Sequence, residues 1–191
     1  MDTKSYHGPT LLSEAMEKYQ IDLGLLIAET ALWAHPEVHK LLQSNKNLSG
    51  AFYPNVRRAK KSQKEARGGT FGGIIFDDNT YANTAIKKAI GVSKNNIKDF
   101  ACCHIWRDTC YSEECHTVIA NLVLLPASLA SLTDHNKQIE DILKYRSYVL
   151  YKWLPKGVQR PKKPKNYPSY WRTPFEFTEK IKNAISKRKL R

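Results

Sequence analysis

The stretch "FACCHIWRDTCYSEECHTVIANLVLLP", residues 100–126, limits what this chain can fold into more than any other. It gathers all four cysteines, two of the six histidines and a tryptophan. "DFACCHIW" alternates as a strand does, "RDTCYSEECH" is a polar loop, and "TVIANLVLL" is a second, more apolar strand that Pro126 stops. Helical patterning follows. The order is therefore strand, loop, strand, helix, with His104 late in the first strand and Asn121 early in the second.

The flanks supply helices. Residues 10–44 place apolar side chains at i, i+3, i+4 spacing in "LLSEAMEKY" and "DLGLLIAETALWA", with Asp22 as a cap and Pro36 at the first position of another helix. Residues 45–70 are polar, basic and Gly-rich and read as an exposed loop. Gly68, Gly69, Gly72 and Gly73 serve a turn into the short strand "FGGIIF" rather than a phosphate cradle. "DDNTYANTAIKKAIG" is a helix capped by Asp78 or Asn79 and closed by Gly91. "ASLASL" is a short helix, and "TDHNKQIEDILKYRSYVLYKW" a long one capped by Thr133 or Asp134. Arg146 falls on its apolar face, where it needs a carboxylate, a carbonyl or a phosphate. The Pro-rich "PKGVQRPKKPKNYPSYWRTP" is expected to be extended, ahead of a final basic helix. The fold class is α+β, divided into an N-terminal helical region with its basic loop (1–70), a central core (71–155) and a basic C-terminal extension (156–191).

Charge narrows the partners. The formal net charge is +13, and it is unevenly placed. Residues 156–191 carry twelve Lys or Arg against two Glu, and residues 57–67 carry six against one, which leaves the remainder slightly acidic. Basic blocks interleaved with aromatics on a near-neutral body predict a nucleic acid partner. One candidate arm is Arg57, Arg58, Lys60, Lys61 and Arg67. The other is Lys162, Lys163, Lys165 and Arg172, among Tyr167, Tyr170 and Trp171. No apolar run reaches the roughly 18–20 residues a membrane span needs, and "MDTKSYHGPT" has no signal-peptide core. A cytoplasmic, membrane-free protein is expected, in which clustered cysteines serve as thiols or metal ligands rather than a disulfide framework.

Three segments, "CHIW" (103–106), "ANLVLLP" (120–126) and "LTDHN" (132–136), together resemble the HNH nucleases, whose shared element is a ββα-metal finger. The flanks are similar, more loosely, to bacterial members of type II restriction-enzyme kind. The resemblance implies a metal-dependent DNA endonuclease with a ββα-metal element embedded in a mostly helical domain. It implies that His104 is the general base, a task suited to a pKa of about 6.5. Mg²⁺ or Mn²⁺ would stabilise charge developing on the phosphate. Asn121 would ligate that ion or pin the loop that aims the base. His135, then Asp134, is the candidate for the third motif position, with Ser131 if the helix begins earlier. Arg146 is a candidate clamp on the scissile phosphate or half of a buried ion pair. Many members have aspartate where this chain has Cys103, and thiolate suits Zn²⁺ better than Mg²⁺. Cys103 therefore points into a zinc site or the core, or other groups hold the ion.

Structural zinc draws on Cys102 or Cys103, Cys110, Cys115 and His116, at gaps of six and four residues rather than the paired C-x2-C of zinc knuckles. A non-catalytic or zinc-stabilised nucleic-acid-binding protein is the competing reading. The expected partner is double-stranded DNA. One active site cuts one strand, so double-strand cleavage implies a homodimer, with "LGLLIAETALWA" as an interface or as core.

Overall fold

A computed structural model of the chain describes residues 7–44, 49–93 and 96–187. Residues 45–48 of the expected loop and 188–191 of the final basic helix lie outside the described residues. Three helices come first: α1 (Gly8–Lys18), α2 (Leu23–Thr30) and α3 (Pro36–Gln43). Asp22 caps α2 by accepting the Leu25 N–H at 3.0 Å, and Pro36 opens α3. Strands β1 (Val56–Arg58), β2 (Thr70–Phe71) and β3 (Ile74–Asp77) form a small sheet in the order β1-β3-β2, β1 parallel and β2 antiparallel to β3. Then come α4 (Thr80–Ala89), β4 (Phe100–His104), β5 (Leu122–Pro126), α5 (Ala127–Ala130), α6 (Leu132–His135), α7 (Lys137–Tyr151) and α8 (Glu179–Ser186). The class is α+β. No helix among the described residues is long and apolar enough to cross a membrane.

The antiparallel pair β4–β5 runs in register from Phe100↔Pro126 to His104↔Leu122 and is buried on both faces. Cys103, Val123 and Leu125 pack with Ile27, Trp33, Ile139 and Ile142 on one side. Cys102, Leu122 and Leu124 pack with Val38, Leu42, Ile86 and Phe52 on the other. Two-sided burial explains why "LVLLP" is a continuous apolar run rather than an alternating one. β5 begins only at Leu122, because Ile119–Asn121 is a 3-10 turn, so the second strand is shorter than "TVIANLVLL" suggests.

The expected long helix from residue 133 is broken. Asn136 leaves helical geometry (φ −126°), and its side chain accepts the Ile139 N–H at 3.1 Å to start α7. α2 contributes Leu23, Ile27 and Ala28 to the core, so most of "LGLLIAETALWA" is interior packing, while Leu25 is 43% exposed.

The C-terminal extension is a strap across this body rather than a projecting arm. The Arg172 backbone N–H donates to Ala28 O at 3.0 Å, its Nε–H to Glu29 O at 2.7 Å, and the Phe175 N–H to Trp33 O at 3.0 Å. Trp171 is 8% exposed and meets Trp33 edge to face, with ring centroids 6.0 Å apart. Ile181 and Ile185 of α8 enter the second cluster. There Gly91 (φ +71°) closes the turn after α4, and a Cβ on it would lie 2.9 Å from Ile181 Cγ1. Arg172 thus fastens the strap while its side chain stays exposed. Arg146, expected as a phosphate clamp or as half of a buried ion pair, stacks on the Trp171 ring at 4.9 Å, beside Tyr167, and is in no ion pair among the described residues.

Candidate functional site

The site starts with Asn121, which is fully buried just before β5. Its backbone carbonyl accepts the Ile105 N–H at 2.9 Å and its Oδ1 accepts the Trp106 N–H at 3.0 Å. Its Nδ2 donates to Thr109 Oγ1 at 2.8 Å and to Cys115 O at 3.0 Å, while the Thr109 hydroxyl donates on to Trp106 O. One amide thus ties the exit of β4 to both ends of the polar loop. Of the two roles open to Asn121, the geometry realises the loop pin. Its Oδ1 keeps a second lone pair, but the side chain is fully buried and does not line the cleft that holds His104.

His104 ends β4 and is 9% exposed. Its Nε2–H donates to the His116 backbone carbonyl at 2.9 Å, which leaves the lone pair on Nδ1. The rings of His104 and His116 stack, with centroids 4.9 Å apart and an interplanar angle of 16°. His116 in turn donates from Nε2 to Asp77 Oδ2 at 2.8 Å; its Nδ1 is buried without a partner, as suits the tautomer with the proton on Nε2. Asp77 also accepts the Thr80 and Tyr81 N–H groups at 3.0 Å each, so it caps α4 while fixing His116. Burial pushes the His104 imidazole down to about 3, helped by His116 and Arg58 nearby, so the ring is neutral at physiological pH. Burial raises the Asp77 carboxyl, but the hydrogen bonds from His116 and the backbone outweigh it and hold it below its ordinary value. The sequence carries no local signal for Asp77, which lies 39 residues from His116.

His104 lies in the wall of a cleft of about 420 Å³ that also holds Arg58, Arg107, Asp108, Cys103, Ser131 and Asp134. Asp134 Oδ1 meets Arg107 Nε at 3.3 Å, and Arg107 Nη1 donates to Asp134 O at 2.8 Å. α5 begins directly after Pro126, and Ser131 reaches the cleft as Asp134 does. His135 does not line it. His135 is exposed and packs edge-on against His7 at 4.6 Å, which corrects its expected metal role. Cys103 belongs to the core: burial pushes its thiol up to about 12, and it points at the carbonyls of Ala101 and Ala130 at 3.9 and 4.0 Å. A protonated thiol is no ligand for a hard cation. The cleft side chains of the kind Mg²⁺ takes are the Asp108 and Asp134 carboxylates, the latter also paired with Arg107, since this ion takes one or two carboxylates and completes its shell with water and phosphate oxygens. Among the described residues no group of three or more His, Cys, Asp or Glu gathers as a metal site. For zinc, Cys102 and Cys103 face opposite sides of the hairpin, and His116 Nε2 is already engaged by Asp77.

The first basic arm divides. Arg57 is 9% exposed, forms two hydrogen bonds to Glu65 at 2.7 and 2.6 Å and stacks on Phe76 at 4.6 Å. This pairing holds the Glu65 carboxyl down to about 2. Arg57 is therefore a structural residue, a correction to its expected DNA role. Arg58, Lys60, Lys61 and Arg67 line a second cleft of about 620 Å³. Lys162, Lys163 and Lys165 are exposed on the strap and line neither cleft. No protein-family model, curated protein or solved structure matches the chain.

Proposed function

We propose that the chain is a DNA endonuclease of HNH type, hydrolysing phosphodiester bonds, with β4, β5 and the helices after them as its ββα element. The observation that carries the reading is the neutral His104 ring, held by one nitrogen and set in the wall of a cleft lined by Arg58, Arg107, Asp108 and Asp134. Nδ1 takes a proton from water, and the water oxygen bonds to phosphorus. The ester bond opposite breaks, and its electron pair leaves with the sugar oxygen. A base with so low a pKa is weak in the free protein. An anionic phosphate beside it offsets both its burial and the charge of Arg58, and so raises its basicity. Asn121 keeps the β4 exit rigid and so aims the ring. Asp108 and Asp134 would hold Mg²⁺ or Mn²⁺, which when bound supplies charge stabilisation at the phosphate.

Four free thiols suit a reducing bacterial cytoplasm. Site-specific double-strand cleavage of restriction type would pair two copies about a twofold axis. The competing reading, a non-catalytic nucleic-acid-binding protein, draws on Cys103 standing where an aspartate is common. Incubating plasmid DNA with the purified chain and Mg²⁺ or Mn²⁺ separates the two. Nicking or linearisation that stops with chelator is expected, and intact supercoiled plasmid with retained binding would favour the competitor.

A further inference from the structure

The second cleft adjoins the first, and Arg58 and Tyr111 line both. Strand register explains how Arg58 reaches this junction. It pairs with Asp77 across the parallel β1–β3 ladder, so both side chains leave the same face of the sheet, and Asp77 holds His116 against His104. The neighbouring Arg57 turns the other way and is neutralised by Glu65. The acidic groups at the second cleft are committed elsewhere. Glu65 binds Arg57 and the Lys60 N–H, Asp77 binds His116, and Asp78 binds Thr80. Arg58, Lys60, Lys61 and Arg67 form no ion pair among the described residues. With Glu65 offset by Arg57, four cations face the two carboxylates of Asp77 and Asp78, so the open cleft is net positive, with Tyr111 41% exposed at its junction with the first, which matches a chain of phosphates.

We propose that the 620 Å³ cleft is a phosphodiester-backbone site continuous with the His104 cleft, so that one nucleic acid strand runs through both with Arg58 at the turn. This rests on the nuclease reading for the direction of the strand, but its test is binding alone. Fluorescence anisotropy of a labelled DNA duplex, with the full chain in chelator and over a range of salt, reads it. Replacing Lys60, Lys61 and Arg67 together by Gln is expected to weaken binding at least about tenfold and to reduce the log K against log salt slope by about 2–3, near 0.9 per lost contact. Arg58→Gln alone is expected to reduce it by about one. Replacing Lys162, Lys163 and Lys165 by Gln is expected to change affinity less than about twofold. Unfolding midpoints of all variants should match the parent chain. An unchanged slope in the cleft variants, or loss of binding only in the strap variant, overturns the proposal. So does displacement of the duplex by inorganic phosphate at matched ionic strength, which would mark a free-anion site. Failure of the nuclease reading shows separately, as absent cleavage with these slopes intact.

Discussion

His104 gives its Nε2–H to the backbone carbonyl of His116 at 2.9 Å while the two rings stack at 4.9 Å. The His104 ring is therefore oriented by a second histidine, and that histidine is oriented by Asp77. Asp77→Asn replaces one acceptor oxygen with an amide donor, although the native carboxylate accepts three hydrogen bonds. The expected result is a loss of about 2 kcal/mol in stability and a fall in cleavage larger than any fall in DNA affinity. Equal losses in cleavage and binding would contradict the orienting role.

Asn121→Ala leaves the Trp106 N–H, the Thr109 hydroxyl and the Cys115 carbonyl without the amide. Each buried unsatisfied group costs about 1–3 kcal/mol, so urea unfolding should show a loss of about 3 kcal/mol or more. A change below about 0.5 kcal/mol would mean that the loop does not depend on this pin.

Two buried histidines make stability depend on pH. Burial lowers His39 to about 4 and His104 to about 3, below the ordinary value of 6.5. The unfolded chain binds these protons first, so their stabilising contribution is complete above about pH 6.5 and is lost as pH falls toward 4 and then 3. The His39 ring is fully buried between Tyr151 and Trp153, with neither nitrogen partnered. His39→Leu should therefore flatten the fall in urea midpoint between pH 7 and 4.5 without lowering it at pH 5. An unchanged slope would contradict the assignment.

Trp171 joins the strap to the core, packed against Trp33 and under Arg146. Trp171→Ala should cost about 3–5 kcal/mol in denaturant unfolding. A surface role in DNA stacking would instead leave stability unchanged and reduce affinity.

The hairpin, α4 and the capped α2 were legible because each is specified locally, by alternation, by one apolar face or by Asp22 beside Leu25. What stayed hidden depends on distant partners. β1 lies in a basic run, and two of its three residues are arginines; only pairing with β3, about twenty residues on, makes it a strand. Arg57 and Arg58 are adjacent and alike in sequence, yet the pleat sends one to Glu65 and the other to the cleft. The strap has no periodicity to read, because its order comes from hydrogen bonds to Ala28, Glu29 and Trp33. The place of His135 stayed hidden because α6 ends there and its ring packs against His7, a contact across more than a hundred residues.

Cleavage and binding by His104→Ala, measured side by side on one labelled duplex, test the imidazole most directly. Truncation opens a small void at the cleft wall and leaves every arginine and lysine in place. The expected outcome is cleavage reduced at least about 10²-fold, in line with the loss of a general base, with affinity within about twofold of the parent. Cleavage at the parent rate would show that the proton leaves by another route and that His104 only packs the end of β4.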